Sequence, residues 1–257
     1  MNRVLLTCIT SFVLLFLTVT AGLAQLPNLN FSSAAGAPGT DFATLFRLLA
    51  GHPGFTAPKS EIRMYDKDQK ETISVAMNFA YLENKIRMEI DLAQMKNKDL
   101  PDSLAGQLKL LGMDQVVTLI RPDKKSIYVI YPKLAACLAQ PLPAETTDSS
   151  KMEKQAIGKE TLDGNPCVKN RVTFTSQKGG KEELTVWYAT SLKDTPTQIL
   201  TKQGEETVIT RYKQIQLDKP DAKLFDLPAG FKEYSDMQSF MQGITARIIG
   251  GGAPESK

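Results

Sequence analysis

The stretch TISVAMNFAYL, residues 72–82, decides the fold, because large apolar side chains occupy every second position in it. Glu83-Asn84 is a turn signal, and KIRMEIDLA, residues 85–93, then alternates in the same way. Since successive side chains of a strand point to opposite faces of a sheet, this period of two predicts a long antiparallel hairpin. The alternation predicts a buried set and a solvated pair: Met77, Phe79, Met88 and Ile90 buried, Glu89 and Asp91 in solvent.

Similar patterns along the chain predict a mainly β protein with accessory helices (α+β). We count nine or ten strands at hairpin spacing, which suit a single antiparallel curved sheet or an incomplete β-barrel covered by short helices. This single domain is predicted over residues 41–249. Helices are predicted at residues 41–50, 101–112 and 235–249. The apolar stripe of the second helix consists of Leu104, Leu108 and Leu111. Ser235 and Gln238 predict a capping box at the start of the third.

The first 24 residues have the features of a secretory signal peptide. Arg3 is the positive n-region, residues 4–19 form an apolar run, and Ala21-Gly-Leu-Ala24 supplies small residues for cleavage. An uncleaved membrane anchor is the alternative. The run is short for a span of about 20 apolar residues, and no positive charge follows it. We therefore predict cleavage after Ala24 and a mature protein in the periplasm or secreted, not integral to a membrane.

Composition excludes several classes of protein. The 257 residues are 42% hydrophobic and 23% charged, as in soluble globular proteins. A net charge of +3, with basic residues interspersed among acids, predicts no nucleic-acid partner. Residues 25–40 are predicted to be a flexible leader and residues 250–257 a frayed tail.

The sequence contains none of the common catalytic motifs. The single His, His52, excludes a His-based metal cage and lies just past a predicted helix end. No P-loop, HExxH, GxSxG or dinucleotide fingerprint occurs. We therefore expect no enzyme activity, no cofactor and no metal site.

Two cysteines remain after signal cleavage, Cys137 and Cys167. An even count in an exported chain favours a disulfide, and closing a loop of about 30 residues would stabilise the fold by about 3–4 kcal/mol. Two buried free thiols are the alternative, because Cys is among the most buried residue types. We predict the bridge.

Methionine is the most informative residue type, with eight of nine in the predicted mature chain. Thioethers adapt to variable apolar ligands, although Met also simply fills cores. The predicted ligand-binding set joins strand residues to the stripe of the second helix: Met64, Met77, Phe79, Met88, Ile90, Leu104, Leu108 and Leu111.

Four segments of the chain also resemble a known superfamily. They are the stretch from EIRM (61–64) through the hairpin, PDKKSIY (122–128), GKETLDGNPC (158–167) and DAKLFDLPAGF (221–231). Over residues 59–234 the chain resembles exported bacterial proteins of uncharacterised function related to the periplasmic lipoprotein carriers, the LolA/LolB-like superfamily. The resemblance implies an incomplete barrel whose concave apolar face is covered by helices, with acyl chains bound between sheet and helices.

Two functions follow as expectations. The first is a periplasmic binding protein, acting as a monomer, for an acyl chain, a lipoprotein or another apolar ligand. In it, the helix at residues 101–112 lies across the open mouth of the sheet and opens at modest cost. The second is a non-catalytic structural or protein-interaction module of the envelope, whose groove is filled by its own side chains.

Overall fold

A computed structural model of the protein describes residues 42–98, 103–143, 151–175 and 180–249, with side chains as far as residue 246. The predicted signal peptide, leader and tail lie outside the described residues. Within them, thirteen strands form one curved, unclosed sheet accompanied by three α-helices. The predicted fold class is confirmed.

The elements are numbered in chain order. The helices are α1 (Phe42–Leu49), α2 (Ser103–Leu110) and α3 (Met237–Ile249). The strands are β1 (Gly54–Tyr65), β2 (Glu71–Leu82), β3 (Lys85–Asp91), β4 (Lys96–Asn97), β5 (Gln115–Arg121), β6 (Ser126–Tyr131), β7 (Ala136–Pro141), β8 (Lys151–Leu162), β9 (Asn165–Thr175), β10 (Lys181–Ala189), β11 (Thr195–Gln203), β12 (Glu206–Arg211) and β13 (Lys232–Tyr234).

The strands follow each other as hairpins, so neighbours in the chain are mostly neighbours in the sheet. Their order is β13-β7-β6-β5-β3-β2-β1-β12-β11-β10-β9-β8, with β4 paired on β2. All described pairs are antiparallel except β13, which runs parallel to β7. The sheet therefore ends at β13 on one side and at β8 on the other.

The central hairpin has the predicted register and burial. Phe79 lies opposite Met88, and Met77 opposite Ile90. All four side chains are at most 8% exposed, whereas the intervening Glu89 is only half-buried. We call the face that carries these four residues the inner face, and the opposite one the outer face.

Two helices contact the inner face at separate places. In α1, the Arg47 guanidinium lies 5.1 Å from the centre of the Phe174 ring on β9. In α3, Phe240 stacks on Tyr131 of β6 with ring centres 4.9 Å apart. Each helix thus buries its apolar side on a different half of the sheet.

The segment at residues 221–231, here called the outer strap, covers part of the outer face. Phe225 is fully buried against Ala80 and Leu82. Further along, Leu227 and Phe231 pack on an outer-face cluster of β5, β6 and β7. The chain then pairs with β7 as β13 and returns to the inner face as α3. The outer strap thereby covers apolar surface that an open sheet would leave in water.

The predicted disulfide is wrong. Cys137 on β7 and Cys167 on β9 are both buried free thiols. Eight strands lie between β7 and β9 in the sheet, and the two cysteines belong to different clusters. The parity of the cysteine count carried no information about which strands would be neighbours.

The predicted capping box is also wrong by one residue. The helix begins at Met237, and the carboxylate of Asp236 accepts the Ser239 N–H at 2.7 Å. Ser235 instead donates its hydroxyl to the other oxygen of Asp236. A carboxylate at this position also complements the positive end of the helix dipole, which favours Asp over Ser as the cap.

Candidate functional site

The predicted ligand-binding residues separate into two groups. Met77, Phe79, Met88 and Ile90 belong to the first group, which is packed core. The Phe79 ring lies 4.7 Å from the Tyr212 ring and 5.6 Å from the Phe55 ring, centre to centre. Here the inner face is filled by the chain's own aromatic side chains.

The second group lies at a cavity of about 500 Å³ next to α2, which we call the α2 cavity. Its volume is within the range of about 300–1,000 Å³ typical of small-ligand sites. It is lined by Glu71, Thr72, Ile73, Ser74, Leu92, Ala93, Met95, Lys96, Asn97, Lys98, Leu104, Ala105 and Leu108.

Of the predicted residues, Leu104 and Leu108 line this cavity. Met64 is half-buried and pairs with the lining residue Ile73, so it lies beside the cavity wall. Leu111 is half-buried just beyond the end of α2. The structure therefore brings Leu104 and Leu108 together at one site and separates them from the packed core group.

The spacing in α2 explains this arrangement. Leu104 and Leu108 are four residues apart, so they lie on one side of the helix and are 9% and 5% exposed. Leu110 lies on the opposite side and is 88% exposed. The helix thus presents one apolar side to the cavity and the other to solvent.

Backbone and side-chain contacts of Asp114 hold the end of α2 near a neighbouring turn. Gly112 has a φ of +69°, a left-handed conformation that glycine adopts without strain. Two residues later, the Asp114 carbonyl accepts the Leu92 N–H at 2.6 Å. The Asp114 carboxylate pairs with the Lys133 ammonium at 2.5 Å. Asp114 therefore connects the end of α2 to the turn Leu92–Gln94, which α2 contacts.

The two sides of the α2 cavity differ in character. Leu92, Leu104 and Leu108 form an apolar wall, and the first residues of β2 together with β4 form a polar one. Sequence reasoning missed the polar wall, because the alternation ends at residue 93 and no periodic pattern marks Lys96–Asn97 as a strand.

A second cavity of about 390 Å³ lies beside Asp163, Leu192 and Tyr212. The carboxylate of Asp163 already has a partner, because the Arg211 guanidinium donates two hydrogen bonds of 3.0 and 3.1 Å to it. Lys213, which also lines this cavity, pairs with Glu61 at 2.8 Å, so both charged lining residues in the described part of the chain have partners.

The His52 side chain is held by a hydrogen bond and a ring contact. Its Nε2 lies 3.0 Å from the Thr195 hydroxyl, and its ring meets Phe55 edge-on at 5.1 Å. Burial lowers its pKa, with a further contribution from Lys193. In the described ranges no three His, Cys, Asp or Glu side chains are grouped to hold a metal ion. Nor is any helix in these ranges long and apolar enough to span a membrane.

Comparison with known proteins gives distant structural likenesses. No family model and no curated protein matches the chain. A LolA superfamily protein from Nitrosomonas europaea is 13% identical, with a TM-score of 0.36 over 68% of this chain and 91% of that one. The lipoprotein LppX from Mycobacterium tuberculosis is 12% identical, with a TM-score of 0.33 over 67% and 93%. The MucA/MucB complex of Pseudomonas aeruginosa is 9% identical, with a TM-score of 0.36 over 74% and 62%.

The class defined by this chain's own geometry is a mainly β protein with an open sheet, helices on its inner face and a cavity beside α2.

Proposed function

We propose that the protein is an exported, non-catalytic binding protein for an apolar ligand of the acyl-chain type, held in the α2 cavity. The supporting observation is the cavity itself, which is lined on its apolar side by Leu92, Leu104 and Leu108. Covering such a wall is favourable by about 25 cal/mol per Å² of apolar area removed from water. A free lipid chain or the acyl group of a lipoprotein has this chemistry.

The alternative function, an envelope module with a filled groove, also has an observation in its favour. Met77, Phe79 and Met88 leave no room on the central inner face, being at most 3% exposed. The proposed ligand site is therefore smaller than the groove expected from the sequence and lies at its end.

A fluorescent fatty acid titrated into delipidated protein tests the proposal. Ala105→Trp introduces a large ring at a lining position of α2, so we expect it to reduce binding at least tenfold with little change in melting temperature. Gln107→Trp adds the same ring to an exposed position of the same helix and should bind like wild type.

A second pair of variants compares the two sides of α2. Leu108→Glu places a charge on the apolar wall and should weaken binding far more than Leu110→Glu, because Leu110 is already in solvent. If wild-type protein binds no such probe, the carrier function fails and the envelope module takes its place.

The proposal includes export. The expected mature protein begins at Gln25, is a monomer and is located in the periplasm or outside the cell. Intact mass spectrometry of the protein from a fractionated host tests this, since an unprocessed chain in the cytoplasmic fraction would contradict it.

A further inference from the structure

The single histidine of the chain lies where three elements meet. The backbone N–H of His52 donates to the Leu49 carbonyl at 3.0 Å and so closes the end of α1. On one side of the imidazole ring, Nδ1 lies 3.2 Å from the backbone nitrogen of Gly54, the first residue of β1. On the other side, Nε2 lies 3.0 Å from the hydroxyl of Thr195, the first residue of β11. His52 therefore joins the end of α1 to two strands of the sheet.

These partners fix the position of the imidazole proton. A backbone N–H can only donate, so Nδ1 accepts the hydrogen bond from Gly54. The Thr195 hydroxyl donates its one proton to the Leu192 carbonyl, so it accepts from Nε2. The ring thus fits as the neutral tautomer with its proton on Nε2. A proton on Nδ1 would place two N–H donors against each other and break the contact with β1.

The charge beside the ring also opposes an imidazolium ion. Lys193 lies in the turn before β11, and Asp194, next to it, has an exposed side chain. Burial lowers the pKa of His52, and the positive charge of Lys193 lowers it further. The end of a helix by itself favours a cation. Burial and Lys193 therefore outweigh the effect of α1 on the ring.

From the other elements beside it, the ring meets neutral groups. The centres of the Phe55 ring on β1 and the Tyr81 ring on β2 lie 5.1 and 6.4 Å from the centre of the imidazole. Burial raises the pKa of Tyr81, so its phenol stays neutral where histidine titrates. In the segment that passes beside the start of β1, Lys219 is paired with Glu83 at 2.6 Å. The state of the ring is thus set by its own proton and by Lys193.

The hydrogen bonds of the ring are placed at the C-terminal end of α1. The other half of the helix has its own contacts, because the Thr44 hydroxyl donates to the Glu182 carboxylate at 3.0 Å on β10. Arg47 lies on the Phe174 ring of β9. Loss of the hydrogen bonds of His52 would therefore loosen the end of α1 while these contacts still hold its other half.

From this geometry we infer that His52 is a pH-sensitive switch: the neutral ring holds the end of α1 on the sheet, and the protonated ring releases it. The inference goes beyond the proposed function and does not depend on ligand binding at the α2 cavity. Because the fold lowers the pKa of His52, this contribution is complete above about pH 6.5, the usual histidine pKa. It is lost as the pH falls from there through the lowered pKa of the folded state.

NMR of the mature protein without a histidine tag reports on this one imidazole directly. At pH 8 we expect Nε2 to carry the proton and Nδ1 to be bare, and the titration midpoint to be lower in the folded protein than in urea. Hydrogen exchange, corrected for intrinsic rates, should find the last amides of α1 about fivefold less protected at pH 5 than at pH 7.5. A proton on Nδ1 at pH 8, or equal protection at the two pH values, would overturn the inference.

Three variants show whether the histidine itself controls the release. His52→Gln keeps a donor near Thr195 but cannot titrate in this range, so the protection of α1 should be lower at pH 7.5 and the same at pH 5. Lys193→Gln removes the neighbouring charge, so the midpoints of the ring and of α1 exchange should both move to higher pH. Lys202→Gln removes an exposed charge near the other end of β11 and should move neither.

The variants also give the results that contradict the switch. If His52→Gln keeps the pH dependence of α1 exchange, other groups release the helix. If the midpoint of exchange does not follow that of the ring in Lys193→Gln, protonation of His52 and release of α1 are not coupled, and the inference is wrong.

Discussion

At the scale of single residues, Gly243 shows how closely α3 approaches the sheet. A Cβ at this position would lie only 2.6 Å from Cε1 and 2.7 Å from Cζ of Tyr234, and closer still to its hydroxyl oxygen. Tyr234 is itself buried and meets the Phe240 ring edge-on at 5.5 Å, so it has little room to move. The glycine is therefore required by contact with Tyr234, although glycine disfavours a helix interior.

Replacing a helical glycine by alanine usually stabilises a protein, but the contact with Tyr234 should make the same change destabilising at Gly243. We expect Gly243→Ala to lower the free energy of unfolding by about 1–3 kcal/mol, as overpacking does. Gly106→Ala in α2, where no heavy atom lies within 4 Å, should raise it by about 0.5–1 kcal/mol. Urea unfolding measures both. A stabilising Gly243→Ala would show that α3 does not pack on Tyr234.

At the scale of elements, the outer strap is fastened by one buried arginine. The Arg121 guanidinium donates to the Phe225 carbonyl and, at 3.1 Å, to the Asp226 carboxylate. It also donates two hydrogen bonds to Asp123, which lower the pKa of that carboxyl. Arg121 is 7% exposed, so its loss leaves a buried carbonyl without a donor.

Replacing this arginine should detach the strap. Arg121→Met keeps the volume of the side chain and should cost about 1–3 kcal/mol of stability, with faster hydrogen exchange at residues 221–231. Lys219→Met breaks the exposed pair with Glu83 and should have no measurable effect. Equal stability of the two variants would contradict the anchoring role.

The end of α2 depends on the ion pair between the buried Asp114 and the exposed Lys133. Asp114 is 4% exposed, and its second carboxylate oxygen has no hydrogen-bond partner. Lys133→Met leaves this charge buried and unpaired, so we expect α2 to open locally and its amides to exchange faster. The double variant Lys133→Met/Asp114→Asn should restore most of the protection. If the single variant exchanges like wild type, the pair does not hold α2.

Periodicity explains which elements the sequence could predict. The hairpin of β2 and β3 alternates over its whole length, and its register and burial are confirmed. β4 and β13 are only two and three residues long, and β7 has no alternating pattern, so all three were missed. The polar wall of the α2 cavity was missed with β4.

At the scale of the whole molecule, the two edges of the sheet differ in how far they are covered. The β7 edge is covered by β13, after which α3 packs on the inner face. The β8 edge is exposed over residues 151–161, and a register shift between Ala156 and Gly158 interrupts its pairing with β9. Charged side chains and such irregularities are devices that discourage pairing with other chains at an edge. The two ends of the sheet were not predictable from local pattern, because the order of the strands is a property of the whole chain.

This order also decides the state of the cysteines. Nine steps of about 4.8 Å separate β7 from β9 along the sheet, a path of roughly 40 Å, whereas a disulfide requires Cα atoms within about 7 Å. Cys137 is fully buried, and burial, followed by the charge of Glu233, raises the pKa of its thiol to about 11. Cys167 is 2% exposed and donates its thiol to the Asn165 carbonyl.

We therefore expect two free thiols that react only when the fold opens. Iodoacetamide at pH 8 should leave the folded mature protein unmodified, because both cysteines are buried and the raised pKa of Cys137 leaves that thiol with little thiolate. In denaturant, mass spectrometry should find two adducts whether or not the protein was first reduced. Two adducts only after reduction would mean that the cysteines are bridged, and a bridge between strands this far apart would require a different order of strands in the sheet.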